Sequence, residues 1–214
     1  MSAILKNEEK QGKLVFLVRH GETDWNRAPK RLQGKRDIPL NQNGLSQAKC
    51  LSEFFKEEDI AAVYSSPLQR AYQTAEIINR FHNLSIIMEE QLVEMDFGIW
   101  EGEIVTRIQH DQPHLWEQWK ENPQELKLPR AESLLKLVNR SMEAVRRVSA
   151  MLGRKKIIVT HGAFLRAAML GFSGRPLSSF NKYEQGNASI NIIVFTPQAD
   201  VISENYTEHL MLMV

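Results

Sequence analysis

The sequence predicts an α/β fold: a three-layer sandwich with a mostly parallel central sheet flanked by helices, and a small helical cap over the carboxyl edge. Three observations predict it. Short apolar runs alternate with longer stretches of helical periodicity, the pattern of parallel strands joined by crossover helices. Two of those runs, residues 14–18 and 156–160, are rich in β-branched side chains and lead into His-Gly steps, at His20-Gly21 and His161-Gly162. One stretch, residues 95–131, breaks the rhythm with three of the four tryptophans and three prolines.

The elements follow in order. Residues 14–18 form the first buried strand, and a loop rich in Arg, Lys, Pro and Gly runs from 21 to 43. Residues 44–57 read as a helix, with Leu45, Ala48, Leu51, Phe54 and Phe55 on one face. A short strand at 61–65 leads to Ser66-Pro67, a predicted N-cap and first helical position, and Leu68, Ala71, Tyr72, Ala75 and Ile78 give that helix a buried face. Residues 85–88 are a third strand. The excursion at 95–131 is expected to cap the mouth of the sheet within a single domain spanning 1–214. A long helix covers 132–152, with Leu134, Leu135, Val138, Met142, Val145 and Val148 inward. After the strand at 156–160, residues 189–195 and 201–206 close the sheet, the last as an edge and a candidate antiparallel strand.

Composition narrows the function. Lys and Arg number 27 against 26 Asp and Glu, a net charge of +1, which predicts neither nucleic-acid nor membrane-surface binding. A single cysteine, Cys50, excludes an intramolecular disulfide. The polar N-terminus, residues 1–13, has no apolar core of a signal peptide, and no window approaches a membrane span, so the expected compartment is cytoplasmic.

The chemistry lies at strand ends. If the strands are parallel, Arg19 and His20, Arg70 after the second strand, Glu94 after the third and His161 after the fourth converge at one edge, where ligands of open α/β sheets bind. Two guanidinium groups and two imidazoles suit a phosphate monoester. The helix opening near Pro67 is expected to add its positive dipole end. A guanidinium beside His20 keeps the imidazole neutral and nucleophilic. Glu94, between apolar Val93 and Met95, is placed to protonate a leaving alkoxide and then to activate water. A metal on His20 and His161 is disfavoured by the neighbouring arginines.

The run Arg-His-Gly-Glu-Thr-Asp-Trp-Asn at 19–26 resembles the signature of the histidine phosphatase superfamily, in its phosphoglycerate mutase-like branch. The resemblance continues in order through 32–40, 43–48, 65–75, 94–102, 131–133 and 160–162. It implies that His20 is the phosphorylated residue and Glu94 the proton donor. Arg19, Arg70 and His161 would form the phosphate pocket, with Thr23, Asn26, Gln33, Gly34 and Gly162 as further phosphate or substrate contacts. It also implies no metal, no cofactor and a small phosphorylated substrate; a homo-oligomer is an expectation from the many oligomeric members. A non-enzymatic relative would lack His20, Glu94 or His161, all of which are present.

Departures separate phosphatase from mutase. Mutases of the family carry a Lys and a tandem Arg pair after the proton donor. Val105 and Glu117-Gln118 stand at those places, which favours hydrolysis over re-phosphorylation of a phosphoglycerate. The alternative is a 2,3-bisphosphoglycerate-dependent phosphoglycerate mutase. The tryptophan segment and residues 186–189 resemble the branch of α-ribazole phosphatases, phosphoserine phosphatases and broad-specificity phosphatases. The loop at 26–33 is one residue longer than the family pattern and contains Pro29, and Ala131 replaces a usual Gly. Arg107 is a candidate for a second substrate anion, against a reading as a solvated cap residue. His82, His110, His114 and His209 read as surface residues, His110 and His114 being a metal-pair candidate that Pro113 disrupts. The apolar tail 209–214 either covers the chain's own core or meets a partner subunit.

Overall fold

A computed structural model describes residues 12–196 and 198–212. The polar N-terminal segment up to Gln11 and the last two residues of the apolar tail lie outside them. Six strands, β1 (Lys13–Arg19), β2 (Ile60–Ser65), β3 (Ile86–Met88), β4 (Lys155–Thr160), β5 (Ile190–Thr196) and β6 (Gln198–Tyr206), form one sheet in the order β3-β2-β4-β1-β5-β6. The first four are mutually parallel; β5 runs antiparallel to β1 and β6 antiparallel to β5. The chain's last strand is therefore an antiparallel edge, as its alternation suggested.

The described residues form six α-helices, α1 (Gln42–Phe55), α2 (Gln69–Asn79), α3 (Val105–Asp111), α4 (Pro113–Glu121), α5 (Leu134–Ala150) and α6 (Gly162–Phe172), of which α1, α2, α5 and α6 pack on the sheet. Side chains of β1 alternate between the layers, as a pleated strand requires. Leu14, Phe16 and Val18 join Leu51 and Phe55 of α1 and Ala71, Ala75 and Ile78 of α2. Val15 and Leu17 join Ala144, Val145 and Val148 of α5 and Phe164, Leu165 and Ala168 of α6. A third core, with Phe97, Trp100, Ile108, Trp119, Leu134 and Phe180, fixes the cap segment against the start of α5.

Several local expectations are corrected. Ser66-Pro67 does not open a helix: α2 starts at Gln69, with Leu68 as its N-cap. The Ser66 amide donates to Val159 O at 3.0 Å, so the ladder holds it, and its hydroxyl pairs with His161. Leu135 points outward, 57% exposed, because the buried stripe of α5 runs through Leu134, Leu137, Val138, Ser141 and Val145 at helical spacing. His209 is buried rather than superficial, and His82 is half-buried. The 3-10 turn Glu208–Leu212 folds back on α1, stacking His209 on Tyr206 with ring centroids 5.8 Å apart and bringing it 5.5 Å from Phe54. The described part of the apolar tail thus covers the chain's own core through Leu210, while Met211 is exposed.

Candidate active site

Sheet register builds the site. Arg19 of β1 pairs with Thr160 of β4, so the next residues, His20 and His161, leave adjacent strands side by side at the carboxyl edge. Their ring centroids are 5.2 Å apart. Thr160 Oγ1 donates to Leu92 O at 2.7 Å, tying the segment that carries Glu94 to the end of β4. Arg140 of α5 strengthens that tie. Its Nη1 donates to Gln91 O at 2.6 Å and Val93 O at 2.9 Å, and its guanidinium also pairs with Glu132.

His20 is 2% exposed. Its Nδ1 lies 2.6 Å from Gly21 O. A carbonyl only accepts, so Nδ1 carries the proton and Nε2 keeps the lone pair. Burial, then Arg70 and Arg19, hold the imidazole well below its usual value. His161 is lowered in the same way, by burial and then by Arg70, His20 and Arg19. Both rings are therefore neutral at pH 7; burial contributes more than the neighbouring charges that sequence reasoning invoked.

Three nitrogens around His20 are buried without a protein partner: Arg19 Nε, Arg70 Nε and His161 Nδ1, the last carrying the ring proton when the Ser66 hydroxyl, which accepts from the Leu68 amide, donates to Nε2. The rest of each group is anchored. Arg19 Nη1 donates to Gln185 O at 2.5 Å; Arg70 donates to Gly34 O at 2.8 Å and Arg36 O at 2.7 Å; His161 Nε2 lies 2.8 Å from Ser66 Oγ. Unpaired buried donors are costly, and phosphate oxygens are their natural complement. Burial lowers both guanidinium groups to about 10, against the pull of Glu94. Gly34 reaches its place at φ +51°, where a side chain would also strike Glu101. A Cβ at Gly162 would lie 3.2 Å from Arg19 Nε, so glycine there leaves room for the guanidinium.

Glu94 is 9% exposed. Its carboxylate accepts from the Met95 amide at 2.9 Å and from the Ala163 and Phe164 amides at 3.1 Å, at the start of α6. Amide donors surround it, not the apolar side chains of Val93 and Met95 alone. The helix dipole at the site is that of α6, acting on Glu94. The start of α2 is taken instead by Asp37, whose Oδ1 accepts from the Gln69 amide at 2.7 Å.

These groups line a cleft of about 300 Å³ with Asn26, Gln33, Gly34 and Gly162. His161 is not among the residues that line it, and its ring lies 5.2 Å from that of His20. Thr23 does not line the cleft; its amide and hydroxyl both donate to Asn26 Oδ1, at 3.0 and 3.1 Å. Arg107 is solvated and paired with Asp111, away from the cleft. His110 and His114 lie on different helices, α3 and α4, broken at Gln112. Among the described residues no group of three or more His, Cys, Asp or Glu is gathered to hold a metal, and no helix is long and apolar enough to cross a membrane. Sequence reasoning missed Arg166, Lys30 and Arg31, which also line the cleft beside Val105, Trp116 and Trp119. A visible signal existed for Arg166: it is the one charged residue of α6.

The depressed histidines have a consequence for stability. His209 joins them, lowered by burial to about 4. Below pH 6.5 the unfolded chain binds protons that these folded histidines refuse, so stability falls as pH falls. The urea midpoint is expected to drop between pH 7 and pH 5, and less steeply in His209→Phe. A midpoint constant over that range would contradict the burial of these rings.

Comparison with known proteins places the chain. The sequence profile of the histidine phosphatase superfamily (branch 1) matches residues 15–206. "Phosphoserine phosphatase 1" of Hydrogenobacter thermophilus is 34% identical over 200 residues, covering 92% of this chain and 93% of that protein. "Probable phosphoglycerate mutase GpmB" of Proteus mirabilis is 32% identical over 178 residues, covering 83% and 82%. The solved structure of Bacillus stearothermophilus YhfR superposes with a TM-score of 0.86 at 30% identity, covering 92% of this chain and 98% of that one.

Proposed function

The chain belongs to the histidine phosphatase superfamily, branch 1, and on that premise we propose that it is a phosphatase that hydrolyses small phosphomonoesters without a metal, through a phosphohistidine on His20. The observation that carries this reading is the set of unpaired buried donors, Arg19 Nε, Arg70 Nε and His161 Nδ1, around a neutral imidazole. They complement the non-bridging oxygens of a phosphoryl group, and donors aimed at developing charge are a large source of rate. Asn26, Gln33 and Gly34 extend the same pocket, and Thr23 acts by holding Asn26.

The chemistry runs in two steps. His20 Nε2 attacks phosphorus with its lone pair. The phosphorus–oxygen ester bond breaks towards the leaving oxygen, which takes the proton of Glu94. The Glu94 carboxylate then takes a proton from water, the resulting hydroxide attacks phosphorus, and the nitrogen–phosphorus bond pair returns to His20. Alcohol and inorganic phosphate leave.

The substrate choices are phosphoserine, α-ribazole phosphate or a broad set. The phosphoserine phosphatase relative favours the first. The mutase-named relative supports a second reading, transfer of the phosphoryl group back to a phosphoglycerate. Against it, Val105 brings no cation to the cleft, and Glu117 is exposed and paired with Lys120. A panel of phosphoserine, α-ribazole phosphate, 3-phosphoglycerate and p-nitrophenyl phosphate, assayed with EDTA present, tests the proposal. Phosphate release that survives EDTA is expected. Isomerisation of phosphoglycerate on adding 2,3-bisphosphoglycerate, without phosphate release, would replace hydrolysis with the mutase reading.

A further inference from the structure

Phosphate recognition leaves part of the cleft unused. The proton donor Glu94 marks the side on which the leaving alcohol must lie. The same cleft is lined by Phe97, Val105, Trp116 and Trp119 and by two cations, Arg166 and Lys30. Arg166 follows Ala163 by three residues on α6, and the Ala163 amide holds Glu94. Residues three apart share a helix face, so Arg166 stands about one turn beyond the proton donor. Its Nε is buried without a partner, and its Nη1 reaches only the neutral Asn181 Oδ1, at 3.5 Å. Phe180 lies beneath the guanidinium at 5.9 Å, and Trp119 packs on Phe180 at 5.5 Å, which holds the side chain in place. No carboxylate forms a salt bridge with Arg166 or Lys30 among the described residues; the nearest acidic influences on Arg166 are Glu94 and, weaker, Glu184. Arg19 and Arg166 both repel the Lys30 ammonium, so the three cations gather around one region of the cleft.

A cleft that already holds two guanidinium groups for one phosphate has no structural need of two more unpaired cations. Their repulsion is relieved when a second negative group enters. We propose that Arg166 and Lys30 form a second anion site, which selects phosphomonoesters whose short leaving alcohol carries its own carboxylate. The proposal rests on the phosphatase reading above. The apolar walls accept the carbon skeleton between the two anionic ends, and the small cleft favours a skeleton of few carbons.

Matched pairs of esters test it: 3-phosphoglycerate against glycerol 3-phosphate, and phosphoserine against phosphoethanolamine. In the first pair a neutral hydroxymethyl group replaces the carboxylate, and in the second a hydrogen does. The carboxylated member is expected to have the higher kcat/KM by at least about tenfold, the scale of one charge-assisted hydrogen bond. Arg166→Gln is expected to reduce that ratio about 10- to 100-fold, Arg166→Lys to retain part of it, and Lys30→Gln to reduce it less. A wild-type ratio near one would overturn the second anion site and leave the phosphatase reading standing. So would a ratio unmoved in both Arg166→Gln and Lys30→Gln. If Arg166→Gln fails to fold, the wild-type ratio and the exposed Lys30→Gln decide. No release from any ester, p-nitrophenyl phosphate included, would overturn the phosphatase reading and this inference with it.

Discussion

Replacing His20 with alanine is expected to abolish turnover of every phosphomonoester, with a loss of about 10⁴-fold or more, the scale on which a covalent nucleophile fails. The size of the effect follows from the surroundings. Nδ1 is committed to Gly21 O, so only Nε2 is nucleophilic, and His161, the other imidazole at the site, is already engaged with Ser66 Oγ. The two rings are 5.2 Å apart. Arg19 and Arg70 would still bind phosphate, so the variant is expected to retain affinity for inorganic phosphate while losing rate. A variant that keeps more than a few per cent of wild-type kcat would place the nucleophile elsewhere.

Glu94→Gln is the second large effect, and its signature depends on the leaving group. The amide keeps the shape but has no proton to give and cannot take one from water. For an alkyl ester both steps suffer, and a fall of about 10²–10⁴-fold is expected. For p-nitrophenyl phosphate the leaving group departs unaided, so the first step survives. Nitrophenol is then expected in a rapid burst followed by slow release, as phosphoenzyme accumulates. Equal losses on alkyl and aryl esters with no burst would remove Glu94 from both proton transfers. The variant also exchanges a carboxylate for an amide opposite the Ala163 and Phe164 amides, so a thermal melt should accompany the kinetics.

What the sequence made legible was the part written in local pattern. The apolar strand before Arg19-His20 and the one before His161-Gly162 are short, β-branched and punctuated, and their register follows from being neighbours in a parallel sheet. Arg70 was legible because it sits in the first turn after a strand. What escaped depends on tertiary competition. Ser66-Pro67 has the chemistry of a helix start, and Ser66 Oγ does accept from the Leu68 amide while pairing with His161, yet the helix itself begins at Gln69. His209 has polar neighbours in sequence, and only the fold-back onto Phe54 and Tyr206 buries it. Arg166 and Lys30 lie 136 positions apart in sequence, and only the folded cleft brings them together. Glu94 was legible as a residue, but its amide donors come from the start of a helix that its own segment does not announce.

The central claim is a covalent phosphohistidine on His20, and the most direct measurement is to trap it. The enzyme would be mixed with a radiolabelled phosphomonoester, quenched in alkaline denaturant within the first turnovers, digested and mapped. Label is expected on the peptide containing His20, stable to alkali, lost in acid, and absent from His20→Ala. Rapid phosphate release with no trapped label at any quench time, or label on another residue such as Ser66, would contradict it.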